Sequence, residues 1–317
     1  MTCAAWGRRP AEDRNLLSGF NLKTRVLGRT LVKDLVRPLV PERLLAWRST
    51  RAWARPDPPE FVAASPPDLS PFEYSLHSQN GEDGVLRHIF HAIGFRSRRF
   101  VEFGFGYTEN NCLRLVLKEG FEGAFVDGDA KAVRMMTRAL RIRKLDAKVR
   151  AVAARLDRDN VNEVISRASP DPDLDVLSID VDGNDYWLWQ SLDVVRPRVV
   201  VIEYNATFGP ARAITVPYDP DFDYRRKHPS GYYHGASLGA LCQLASSRGY
   251  ALVGCESQGI NAFFVRRTDL GKLKEVTAAE AYRPHAGLLG LGISTESQMA
   301  AIKDMPYVDV GRGSPPL

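Results

Sequence analysis

The chain has 317 residues, 44% hydrophobic and 26% charged, the composition of a globular protein with material for a sizeable core. No apolar run reaches the roughly 18 residues that would span a bilayer, and no signal-peptide apolar region follows Met1, so the chain is expected to stay in the cytosol. Net charge is +5, but residues 1–60 hold twelve Lys and Arg against six Asp and Glu, leaving about −1 for the rest; this weighs against nucleic acid as the main substrate.

Residues 1–70 read as an appendage. Leu22, Val26, Leu27, Leu31, Leu35 and Val36 recur at helical spacing, with Lys23, Arg25, Arg29 and Lys33 between them. That pattern predicts a basic amphipathic helix, suited to packing on its own domain, to a protein partner or to the inner membrane surface. A second apolar and basic piece follows Pro41, and the Pro-rich stretch from Pro56 to Pro71 reads as a linker.

From Ser78 strands and helices alternate. A helix ending at Gly94 is followed by the strand RRFVEFG, a helix over about 110–119, the strand GAFVD and the long basic helix KAVRMMTRALRIRK. AKVRAVAA, LDVLSID and RVVVIEY are the next three strands, separated by helices near 162–167 and 186–192. A long irregular loop over 207–235 leads to the helix SLGALCQLASSRG and the strands YALVGC and NAFFVRR, joined by a tight turn at Gln258-Gly259. Five strand-helix units imply an α/β fold with a mostly parallel, Rossmann-like sheet of seven strands, and the tight turn makes the last pair an antiparallel C-terminal hairpin. The domain is expected over 71–268, with a helical tail over 269–317. Cys3, Cys112, Cys242 and Cys255 lack CxxC spacing and read as reduced, with neither zinc nor disulfides.

The chemistry gathers where strands end. The fourth strand runs into Asp180, Asp182, Asn184 and Asp185, and the fifth into Glu203 and Asn205. Ligands in such sheets bind beyond the carboxyl ends of the strands, where a run of acids is costly unless it binds something. The first strand ends in Glu102-Phe103-Gly104-Phe105-Gly106, and glycines there let backbone approach a ligand. One unit later Asp127 and Asp129 follow the second strand, where an acid pairs with a ribose diol. The third glycine of a dinucleotide fingerprint is missing, since Glu109 stands there and would repel a pyrophosphate. A cofactor with a ribose and no phosphates fits, as S-adenosylmethionine does.

SQNGEDGVL, VEFGFGYTENN, LSIDVDGNDYWLW, VVVIEYNATF, YYHGASLGAL and GINAFFVR together resemble the FkbM-like class I methyltransferases of bacterial glycan and natural-product clusters, over about 74–268. The first loop departs from that family in carrying Phe105 and Tyr107 where smaller residues are common. The resemblance implies that Glu102, Gly104 and Gly106 line the methionine end of the cofactor, Asp127 takes the ribose, and Asp180 sits beside the amino group or the reacting methyl; Asn110 and Asp129 complete the expected cofactor set. Asp180, Asp182 and His234 are the catalytic candidates, with Asp182 or His234 as general base. Asp180, Asp182, Glu203 and Asn205 offer hard oxygen ligands for Mg²⁺ or Mn²⁺. Tyr204, Tyr232, Tyr233 and Trp187 are candidates to stack on an acceptor, and Trp189 reads as core. The expected activity is O-methylation of a sugar or glycan-like hydroxyl. Two rivals are a metal-dependent glycosyltransferase, using Asp180-Val181-Asp182 to hold Mn²⁺ against a nucleotide sugar, and a catalytically silent scaffold; the first leaves the glycine loop and Asp127 unexplained.

Overall fold

The computed structural model describes Thr50 and residues 53–58, 68–106 and 109–311. The amphipathic helix expected over 22–36, much of the linker and Tyr107 lie outside these residues.

Seven strands form the main sheet: β1 (Arg99–Phe103), β2 (Glu122–Asp127), β3 (Val149–Ala153), β4 (Val176–Ile179), β5 (Val199–Glu203), β7 (Tyr250–Cys255) and β8 (Asn261–Arg266). They lie in the order β3-β2-β1-β4-β5-β8-β7. All neighbouring pairs among the first five are parallel, and β8 runs antiparallel to both β5 and β7. The central strands are short and apolar because helices cover both faces; every residue of β4 is buried. The chain builds β1, β2 and β3 outward on one side, then returns to place β4 and β5 on the other. The switch point therefore falls between β1 and β4, where a crevice opens beyond the strand ends.

Two apolar layers flank the sheet. One joins Phe103, Ile179, Trp189 and Phe264, and the other joins Ile89, Phe100, Phe125 and Phe263. Trp189 is buried among them, as expected. At the amino ends of the strands a buried ion pair ties β4 to β5. Arg198 Nη1 lies 2.9 Å from Asp175 Oδ1, and Asp175 Oδ2 accepts from the backbone N–H groups of Arg96 and Arg98 at 2.9 and 2.8 Å. The remaining guanidinium N–H groups reach Asp269 and the carbonyls of Ile93 and Gly94.

Beyond β8 the chain forms the short helices Ala278–Ala281, Ala286–Gly290 and Thr295–Ala301, then the strand β9 (Val308–Asp309), which pairs antiparallel with β6 (Ile214–Thr215). The segment expected as a helical tail is thus stitched into the long loop. Gln298, buried, accepts a hydrogen bond from Thr207. Two-residue strands carry too little alternation to be read from sequence.

Candidate active site

Beyond β4 the chain turns sharply through Asp180, Val181, Asp182 and Gly183 into the helix Asp185–Ser191. Asp185 builds this turn, accepting from Val181 N–H at 2.8 Å and Gly183 N–H at 2.9 Å. Asp182 adopts a left-handed backbone (φ 57°), uncommon outside glycine and found where a site over-determines its geometry. Gly104, at the end of β1, presses against the same turn: a Cβ there would lie 1.4 Å from the carbonyl oxygen of Asp180, so only glycine lets the two strand ends meet.

A cavity of about 660 Å³ opens over β1, β2, β3 and β4, with Gly104, Asp127, Arg155, Asp180, Asp182 and Phe222 in its wall. That is ample for a nucleoside-sized ligand. Asp127 accepts from the N–H groups of Phe105 and Asp129, which fix its carboxylate and leave further lone pairs for a diol. Burial raises its pKa, and those two N–H groups counter the rise. A second cavity, of about 320 Å³, lies over β5 and β8 and is lined by Glu203, Asn205, Tyr224, Tyr232, His234 and His285. Asp182 and Tyr224 line both cavities, so the two meet at this pair of side chains.

Between them lie acids that make no ion pair with a lysine or arginine among the described residues. Ligand oxygens of Asp180, Asp185 and Glu203 fall within 4.8 Å of one another. Glu203 Oε2 has no hydrogen-bond partner among the described residues. Burial first, then the neighbouring acids, pushes Asp180 and Glu203 well above the ordinary carboxylate range. Burial brings Asp185 to about 6, against the pull of its two backbone N–H donors. His234 Nδ1 stands 3.9 Å from Glu203 Oε2, too far for a hydrogen bond. Burial, and then His285, lowers His234 to about 4, so the imidazole is neutral at pH 7 and the contact is no ion pair.

The structure changes the expected metal set. Asp185 joins Asp180 and Glu203, while Asp182 stands outside this group of carboxylates. Asn205 is committed to the wall: its carbonyl accepts from Thr207 N–H at 2.9 Å, and its amide donates to the carbonyls of Tyr232 and His234 at 2.7 and 2.8 Å.

The expected cofactor set divides. Gly104, Asp127 and Asp180 line the larger cavity, whereas Glu102, Gly106, Asn110 and Asp129 line neither of the two. Both carboxylate oxygens of Glu102 accept backbone N–H groups, from Asn111 and Cys112 at 2.8 Å each, and burial lifts it to about 7. Gly106 N–H closes its loop on the carbonyl of Glu109. Asp129 is exposed and caps the helix Ala130–Ile142 through Lys131 N–H. Asn110 is buried with both amide atoms unpartnered among the described residues. Trp187 and Tyr233 are buried structural residues, hydrogen-bonded to the carbonyls of Val216 and Pro306, so they offer no stacking face.

Sequence reasoning missed Arg155, Phe222, Tyr224 and His285. The run Tyr218-Asp-Pro-Asp-Phe-Asp-Tyr224 was the available signal, being dense in aromatics and acids for a loop. Phe222 rests on Gly183, and Asn184 donates to the carbonyl of Asp219 at 2.8 Å; these contacts bring the loop over the strand ends.

No protein-family model and no curated protein matches the chain. Among solved structures it is similar to an O-methyltransferase family protein from Burkholderia thailandensis, with 12% identity, a TM-score of 0.35, and 58% of this chain aligned to 57% of that one. It is also similar to an O-methyltransferase from Bacillus cereus in complex with SAH (15% identity, TM-score 0.39, covering 74% and 95%). A third is the SAH-bound N-terminal domain of EvdMO1 (12% identity, TM-score 0.38, covering 71% and 95%). Likeness this remote says nothing of activity. The strand order, closed by one antiparallel strand, decides the fold. It is the class I methyltransferase fold.

Proposed function

We propose that the chain is an S-adenosylmethionine-dependent O-methyltransferase whose acceptor is a hydroxyl of a sugar or glycan-like molecule. The meeting of two cavities at Asp182 and Tyr224 carries this reading, because methyl transfer needs two ligands to touch at one point. The cofactor supplies an electrophilic methyl carbon on a sulfonium cation. Asp127 accepts from the ribose diol, and Asp180 and Asp182 face the positive charge of the sulfonium. In the smaller cavity His234, neutral at pH 7, takes the hydroxyl proton as the O–C bond forms and the S–C bond breaks, its electron pair remaining on sulfur. Tyr224 and Tyr232 suit the faces of a sugar ring, and Asp182 and Glu203 suit its hydroxyls, while the same acids disfavour an anionic acceptor.

Titration calorimetry with S-adenosylhomocysteine tests this. Binding lost in Asp127→Ala and kept in His234→Ala is the expected result. Binding of a nucleotide-diphosphate sugar with Mn²⁺, and none of S-adenosylhomocysteine, would refute it in favour of a glycosyltransferase. The convergent oxygens of Asp180, Asp185 and Glu203 favour a second reading, in which Mg²⁺ or Mn²⁺ binds there and acidifies the acceptor hydroxyl. Methyl transfer that survives EDTA would exclude it.

A further inference from the structure

Residues 131–150 hold eight Lys and Arg and one acid, Asp146, whereas the rest of residues 61–317 holds 23 Lys and Arg against 31 Asp and Glu. The fold gathers these charges on one side of the sheet. On the helix Ala130–Ile142, Lys131, Arg134, Arg138 and Arg141 recur at three- and four-residue spacing and form one stripe, while Val133, Met136 and Leu140 on the opposite face are buried. Arg143 and Lys144 follow in the turn, and Lys148 and Arg150 lie at the start of β3, an edge strand of the sheet. Lys148 pairs with Glu122 at 3.0 Å, and Arg141 reaches Asp146 only at 3.9 Å.

Guarding an edge strand takes a charge or two; a face this basic exceeds that need. Ile142 adds a different signal. It is 48% exposed, one of three large apolar side chains so exposed among the described residues, and it sits between Arg141 and Arg143. An apolar tip ringed by guanidinium groups suits the boundary between anionic headgroups and acyl chains, where the bases pair with phosphates and the side chain inserts. A nucleic acid would leave Ile142 without use.

We infer that this face docks on an anionic lipid bilayer. The helix begins beside the large cavity at Asp129 and runs back toward the amino ends of the strands, so contact through Ile142 holds the bilayer at the far end from the cavity mouth.

Co-flotation of the full chain with phosphatidylcholine vesicles, with and without phosphatidylglycerol, tests the docking. Wild type is expected to float only with the anionic vesicles and to be released by high salt. The triple variant Arg141→Glu, Arg143→Glu, Lys144→Glu should weaken partitioning roughly hundredfold, and Ile142→Ser about fivefold. All four side chains are exposed, so unchanged thermal melting is expected and separates lost docking from lost folding. Reversing Lys23, Arg25 and Arg29 measures the share of the N-terminal arm. Equal binding by the triple variant and wild type would overturn the inference. So would binding to RNA that depends on the same three residues, with none to vesicles.

Discussion

The two ends of the β4–β5 pair bury acids in opposite ways. At the amino end every acid is answered. Asp175 meets Arg198 and two backbone N–H groups, and Asp269 meets Arg198 and Arg266. Burial would raise Asp269, but hydrogen bonds from Arg266 and Arg198 outweigh it and hold its pKa below the ordinary value. At the carboxyl end Asp180, Asp185 and Glu203 crowd together with no arginine paired to them among the described residues, and their pKa values rise. The same residue type serves stability in one place and is a standing cost in the other. A cost of that kind persists where a cationic ligand relieves it.

Substitutions at the two ends should therefore act in opposite senses. Arg198→Met leaves Asp175 buried and unpaired, and should cost about 3–5 kcal/mol in urea denaturation. Asp182→Gly relieves a left-handed backbone, so stability should change by less than about 1 kcal/mol, while methyl transfer should fall roughly 10²–10³-fold. A loss of stability like that of Arg198→Met would erase the contrast. Glu203→Gln removes one of the crowded charges and should add on the order of 1 kcal/mol at neutral pH. The sign follows from the raised pKa. A carboxyl whose folded pKa exceeds its unfolded one stabilises below the unfolded value and loses that contribution as pH climbs through the folded value. The advantage of Glu203→Gln over wild type should thus grow from pH 4 upward, and a pH-independent difference in melting would contradict it. Asp269→Asn should act in reverse, its cost present at neutral pH and vanishing as pH falls below the ordinary carboxylate range. The smallest effect expected is for Asp129→Ala, about 1 kcal/mol from a lost helix cap with S-adenosylhomocysteine affinity unchanged.

Much of this was legible in the chain. Seven apolar runs and their alternation with helices gave the sheet, and the tight turn at Gln258-Gly259 gave the antiparallel strand. Asp127, Gly104 and Asp180, singled out because strand ends are where such sheets bind ligands, line the larger cavity. Glu102 lies outside both cavities for a physical reason: a carboxylate beside a glycine loop satisfies N–H groups at a helix start as readily as it meets a ligand. Asn205 pins the wall of the smaller cavity, since an amide after a strand is as useful for holding a loop as for ligating. Asp185, grouped with the strand-end acids, closes the turn after β4 and places its carboxylate beside Glu203. Tyr224 and His285 lie 21 and 82 residues beyond the end of β5, and no periodicity announces a contact made by folding back.

Gly183 and Asn184 have a use apart from chemistry. Phe222 packs against the one, and the amide of the other holds the carbonyl of Asp219. The loop that lines both cavities is thus latched to the scaffold at two neighbouring positions. A loop from another enzyme, grafted over 217–228 to alter acceptor choice, would need only an aromatic residue and a free carbonyl in register with that latch. Replacing Gly183 with any larger residue would unlatch every such graft at once.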